Sequence, residues 1–89
     1  MHIGDELMSD EQLLERIACN PEVLCGKPVI LGTRLSVEYI LNLMAHGSTT
    51  EEILAEYNRL TPEDVQACLL FASHSLSNVS FMPLNTKSA

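Results

Sequence analysis

Thr49-Thr50-Glu51-Glu52-Ile53-Leu54-Ala55-Glu56-Tyr57-Asn58-Arg59-Leu60-Thr61-Pro62-Glu63-Asp64-Val65 holds two helix starts in close succession. Thr49 and Glu52 form a capping box, in which the hydroxyl takes a free backbone N–H and the carboxylate returns to the cap's own. Ile53, Leu54 and Tyr57 follow at helical spacing and make the inward face. Thr61 with Pro62 opens the next helix, because proline at the first helical position lacks only a donor that has no partner there. Its inward face reads as Val65, Cys68, Leu69 and Ala72. Leu70 and Phe71 then point elsewhere, so this helix is apolar on more than one side and calls for a second subunit or a partner to cover it.

Working back along the chain, Ser36 caps an earlier helix, Glu38 favours its positive end and Gly47 stops it. Val37, Ile40, Leu41 and Met44 fall at i, i+3, i+4 and i+7 and give it one apolar stripe. Three helices, the last two joined by Asn58-Arg59-Leu60-Thr61, predict a mainly α, trihelical unit of helix-turn-helix type. Such units serve many functions, so the pattern alone does not point to DNA.

Before Ser36 lies Gly26-Lys27-Pro28-Val29-Ile30-Leu31-Gly32-Thr33-Arg34. Gly26 and Gly32 bracket a stiff, branched segment that opens with Pro28, and Val29-Ile30-Leu31 reads as a brief buried strand. Further back, Ser9-x-x-Gln12 is another capping box, ahead of Leu13, Leu14 and Ile17. It predicts a short helix near residues 10–15, and Asn20-Pro21 ends that segment. The organisation is one domain: an acidic arm over residues 1–13, the trihelical unit with its loop and strand over 14–74, and a flexible tail over 75–89. The tail mixes polar residues with Leu76, Val79, Phe81 and Met82 and shows no periodicity.

The net charge is −7, and its placement matters more than its size. Residues 1–22 carry six carboxylates against Arg16, and residues 36–72 carry six more against Arg59. A phosphate backbone would be repelled by most of this surface, so nucleic acid would have to be met locally or through a partner. No apolar run approaches the roughly 18 residues a membrane span needs, and the acidic start does not resemble a secretory leader, so a cytoplasmic protein is expected. Cys19, Cys25 and Cys68 are odd in number and lack zinc or thioredoxin spacing, which favours buried structural thiols.

The anion and nucleic-acid contact candidates are Lys27, Thr33, Arg34 and Arg59. Arg34, beside a helix start, either adds a bidentate contact to an anion or pairs with a carboxylate of the acidic N-terminus or of a neighbouring subunit. An acidic chain favours the pairing. The last helix makes a poor base reader, since its outward residues include Glu63, Asp64, Gln66 and His74 and no cation. Candidates for a dimer or partner interface are Leu70, Phe71, Leu76 and Phe81. His2, His46 and His74 fall at no ligand spacing, no nucleophile sits beside a base, and neither an enzyme nor a bound cofactor is expected.

The run from Asn20 to Val37, with its ordered Gly-Lys-Pro and Gly-Thr-Arg elements, resembles a small bacterial family catalogued as domain of unknown function 433. Ala45-His46-Gly47, Glu51 to Tyr57 and Leu60 to Val65 continue the resemblance, which covers about residues 14–73. Cys25 stands where that family usually has a glycine, and Asn58 where it usually has a proline. The resemblance implies a homeodomain-like trihelical domain, often dimeric, preceded by short β elements. It further implies an antitoxin of a toxin–antitoxin pair, which would neutralise a PIN-like ribonuclease toxin and contact operator DNA at a shared promoter. A stand-alone dimeric DNA-binding regulator and a structural homodimer without ligand are the competing expectations.

Overall fold

The computed structural model describes residues 8–77. Phe81, with the rest of residues 78–89, and the first seven residues of the acidic arm lie outside them. The described chain runs through helix α1 (Asp10–Leu14), strands β1 (Ile17–Cys19) and β2 (Pro28–Ile30), and helices α2 (Val37–Ala45), α3 (Thr50–Glu56) and α4 (Pro62–Leu76). The fold is mainly α with one small sheet, as the periodicities imply.

Each helix start is satisfied by the side chain the sequence offers. Ser9 Oγ accepts the Gln12 N–H at 3.1 Å and Gln12 returns the bond at 2.9 Å. Thr49 and Glu52 repeat the exchange at 3.1 and 2.9 Å. Ser36 Oγ accepts the Tyr39 N–H at 2.9 Å. Thr61 accepts from the Asp64 N–H at 3.3 Å, and Asp64 takes the Thr61 N–H at 2.9 Å. Caps of this kind contribute roughly 1 kcal/mol each.

The first helix forms where the Ser9 capping box predicts it, near residues 10–15, but a strand that the local pattern does not announce follows it. Helix α1 stops at Leu14, and Ile17 begins β1, antiparallel to β2 in the register Ile17–Ile30, Ala18–Val29, Cys19–Pro28. The Arg16 carbonyl accepts the Leu31 N–H at 2.7 Å, continuing the join beyond the strands. Long-range pairing thus sets the conformation of this β-branched residue. The second strand also shifts by one residue: it spans Pro28–Ile30, and Leu31 is 62 % exposed. The Thr33 N–H closes on the Ile30 carbonyl at 2.9 Å, and Gly32 takes φ +82°, so the chain turns before Leu31 can be buried. Between the strands, Leu24, Cys25 and Gly26 all adopt left-handed φ, at +49°, +56° and +85°. Only the last is glycine, and the two side-chain-bearing residues carry strain there.

Ile30, Val37, Ile40, Ile53, Leu60, Val65 and Cys68 form the core. Full burial of an aliphatic side chain contributes about 1.5–3 kcal/mol. Helix α4 is its spine, packing against α1, α2, α3 and β1. Its buried stripe is rotated from the expected one. Asp64, Val65, Ala67 and Cys68 are buried, Phe71 packs against the core, and Leu69, expected inside, is 47 % exposed. The rotation follows from Asp64, which turns inward because its carboxylate holds both Thr61 and Arg16.

Candidate functional site

The turn Gly32-Thr33-Arg34 and the link Tyr57-Asn58-Arg59 face one another across a concavity of about 670 Å3, with Val23, Leu35 and Glu56 completing its walls. Each arginine is held out by a specific local device. In the turn, the Thr33 hydroxyl donates to the Ile30 carbonyl at 2.7 Å and accepts the Leu35 N–H at 3.0 Å. The Ile30 N–H donates to the Leu35 carbonyl at 2.9 Å. Thr33 is therefore committed to the turn, and Arg34 beside it is exposed. In the link, Leu60 is drawn into the core and its N–H reaches the Tyr57 carbonyl at 2.9 Å, which leaves Asn58 and Arg59 outside. Leu60 read as linker in the sequence; it is an apolar residue preceding a cap, the arrangement of a hydrophobic staple.

The four described cations divide evenly. Arg16 Nη1 bonds Asp64 Oδ1 at 3.0 Å and the Thr61 hydroxyl at 3.3 Å. Lys27 Nζ bonds Glu38 Oε1 at 3.0 Å on the exposed side of α2, away from the concavity. Arg34 and Arg59 pair with none of the described carboxylates. Of the four contact candidates, the fold brings Thr33, Arg34 and Arg59 together and leaves Lys27 apart. Asp64, expected on the outer surface, is instead the buried partner of Arg16.

Two tyrosines, which the sequence did not mark as a pair, adjoin the arginines. Tyr39 and Tyr57 share a hydroxyl–hydroxyl hydrogen bond of 2.7 Å, with ring centroids 6.2 Å apart and planes at 82°. That bond, with some desolvation, raises the Tyr57 pKa and keeps the phenol protonated. A second hollow of about 360 Å3 is lined by Leu24, Arg34, Leu35, Ser36 and both tyrosines. Arg34 and Tyr57 thus border two adjoining depressions.

On the opposite side of α2, an apolar groove of about 450 Å3 runs between α2 and α4, floored by Val37, Leu41, Ala45, Phe71 and Ala72. Of the interface candidates, Leu70 and Phe71 are half-buried, Leu76 is 66 % exposed, and Phe81 lies outside the described residues. Helix α4 offers no arginine or lysine to a ligand.

The family model described as "Protein of unknown function (DUF433)" matches residues 17–72. The chain belongs to the DUF433 family. A crystal structure of a DUF433 member protein from Anabaena variabilis ATCC 29413 is similar, with 26 % identity, a TM-score of 0.65, and coverage of 81 % of this chain and 80 % of that one. No curated protein matches. The DUF433 segment contains every residue lining the Arg34–Arg59 concavity, whereas α1 precedes it and Leu76 follows it.

The cysteines correct one expectation. Cys68 is fully buried, and burial, with a smaller contribution from the Asp64 charge, pushes its thiol up to about 12. Cys19 and Cys25 are exposed instead of buried. Cys25, at φ +56° and ψ +33°, occupies a left-handed position that suits glycine. Among the described residues, no three His, Cys, Asp or Glu side chains group to hold a metal ion, and no helix is long and apolar enough to cross a membrane.

Proposed function

We propose that this DUF433 protein is a non-catalytic binding protein of the cytoplasm. In this reading it is the dimeric antitoxin of a toxin–antitoxin pair and neutralises a PIN-like ribonuclease. The observation that carries the reading is the apolar surplus of α4. Leu69 and Leu76 are exposed on a helix that already supplies the core with Val65, Ala67 and Cys68 and walls a groove with Phe71 and Ala72. Surplus apolar surface on so small a domain marks a surface meant for another macromolecule. The acidic exterior supports a nuclease partner, since a channel that attracts phosphates also attracts carboxylates.

Co-expression with the product of the adjacent gene tests this. The expected result is a complex that co-elutes in size exclusion and relieves the growth arrest caused by the neighbour alone. A double Leu69→Asp/Leu76→Asp variant weakens both effects. A neighbour that arrests no growth, or forms no complex, overturns the proposal.

A second reading, a stand-alone DNA-binding regulator of helix-turn-helix type, draws its support from the shared placement of Arg34 and Arg59. It predicts binding to the chain's own promoter without a partner, with an affinity that falls steeply as salt is raised.

A further inference from the structure

We infer that the Arg34–Arg59 concavity is a docking site for a carboxylate-bearing peptide segment of a partner protein, with an apolar residue next to the acid. The inference shares with the proposed function only the premise that the partner is a protein. It does not require that partner to be a toxin.

The starting point is charge. In a chain of net charge −7, the described carboxylates take up Arg16 and Lys27 and leave Arg34 and Arg59 without a partner among the described residues. Those two converge on one concavity. Both are carried on backbone that is already fixed, Arg34 by the Thr33 hydrogen bonds and Arg59 by burial of Leu60. Little main-chain ordering is then needed when a ligand binds. Guanidinium groups present planar forks that match a carboxylate through two parallel hydrogen bonds.

The walls decide which acid fits. Val23, Leu35 and the ring of Tyr57 give the concavity an apolar lining. A free inorganic anion would leave this surface wet, whereas an acidic residue beside a Leu or Phe would cover it. Glu56 stands at the same lip and can accept a main-chain N–H from a peptide, a donor that a phosphodiester backbone lacks. Nucleic acid is disfavoured for a further reason. Glu51, Glu52 and Glu56 belong to α3, the helix next to the link, so phosphates flanking a bound one would meet carboxylates in place of a track of cations. The apolar groove between α2 and α4 has no comparable feature that selects its occupant.

The test is a random peptide phage library panned on the immobilised full-length chain and counter-selected against R34Q/R59Q. Enriched peptides are then titrated calorimetrically against both proteins, alongside copies with Asp and Glu replaced by Asn and Gln, and alongside a short random-sequence DNA duplex. The expected outcome is enrichment of Asp or Glu beside an apolar residue. Affinity should fall about tenfold for each single arginine variant and about a hundredfold for the double one or the amide peptide. The double variant should unfold at the same temperature as the parent, because both side chains are exposed. Failure to enrich acidic peptides, equal binding by R34Q/R59Q, or duplex binding that the double variant abolishes overturns the inference. A chain that ignores acidic peptides yet still captures the neighbouring gene product refutes this site alone. Capture of acidic peptides without that complex refutes the antitoxin reading alone.

Discussion

Arg16 and Arg34 are the same residue type in the same half of the chain, and the fold uses them in opposite ways. Arg16 is tied inward: its Nη1 bonds Asp64 and Thr61 while its Nε is buried without a partner among the described residues, its side chain is 32 % exposed, and that of Asp64 is 10 % exposed. Around Arg34 the hydrogen bonds are spent on the backbone of the turn, and the guanidinium is left outward with Arg59 and Tyr57. The difference arises from what lies opposite. Arg16 lies in the turn between α1 and β1, both of which pack on α4, where a carboxylate already caps the helix, while Arg34 faces a link whose rim carboxylate, Glu56, does not pair with it. The first region ties the N-terminal segment to the core; the second keeps charge available.

The sharpest way to break this contrast is to open the closed region. Asp64→Ala removes a cap and strands a partly buried guanidinium, and should cost about 2–3 kcal/mol once the partial exposure of Arg16 is allowed for. Calorimetry should show the unfolding temperature falling by roughly 10 °C or more. Adding Arg16→Met to that variant should recover about 1 kcal/mol, because the orphaned charge is replaced by apolar packing. If Asp64→Ala melted like the parent, the pair would be a surface decoration and the contrast would fail.

The interior beside this pair carries a pH dependence. The Cys68 thiol is pushed up to about 12 in the fold, against about 8.5 in an unfolded chain. Between those values the unfolded state has released its proton and the folded state has kept it. Stability should therefore be unaffected below about pH 8 and should fall progressively as pH rises from about 9 towards 12. The raised Tyr57 adds a contribution of the same sign. Thermal melts across this range should show a shallower alkaline slope for Cys68→Ala than for the parent.

The closed and open regions also differ in how far they could be read from the sequence. Helix starts were legible because the cap and its target sit within one turn, as the observed exchanges at Ser9, Thr49 and Thr61 show. The turn at Gly32-Thr33 was legible for the same local reason. The pairing of Ile17 with Ile30, and of Arg16 with Asp64, depends on residues distant in the chain, so the strand at Ile17 was not legible and Asp64 read as surface. Once Asp64 turns inward, the stripe of α4 rotates with it, which is why Leu69 emerged and Phe71 packed inward. Arg34 and Arg59 could be chosen as rare cations in an acidic chain. Their convergence, and the tyrosine pair beside them, follows only from how α2 and α3 pack.

Cys25 tests the loop that borders the open region. With φ at +56°, it pays a conformational cost that glycine avoids, partly offset by the greater freedom glycine has when unfolded. Cys25→Gly should stabilise the chain by up to about 1 kcal/mol, raising the unfolding temperature by a few degrees. Cys25→Ala should produce no such gain, since it keeps the Cβ. A gain shared by both variants would assign the effect to removal of the thiol, and the strain argument would be wrong.

The smallest expected effect is the one on which the contrast finally rests. Arg34→Gln and Arg59→Gln should each change stability by less than about 0.5 kcal/mol in urea unfolding, because neither guanidinium is bonded to a described carboxylate and both side chains are exposed. Thr33→Ala in the same turn should cost about 1–2 kcal/mol, since it removes the hydroxyl that joins Ile30 to Leu35. Neighbouring residues would then separate cleanly, the threonine holding the turn and the arginine free of any structural duty. If Arg34→Gln instead cost as much as Thr33→Ala, the arginine would be a tether like Arg16, and the concavity would be part of the scaffold.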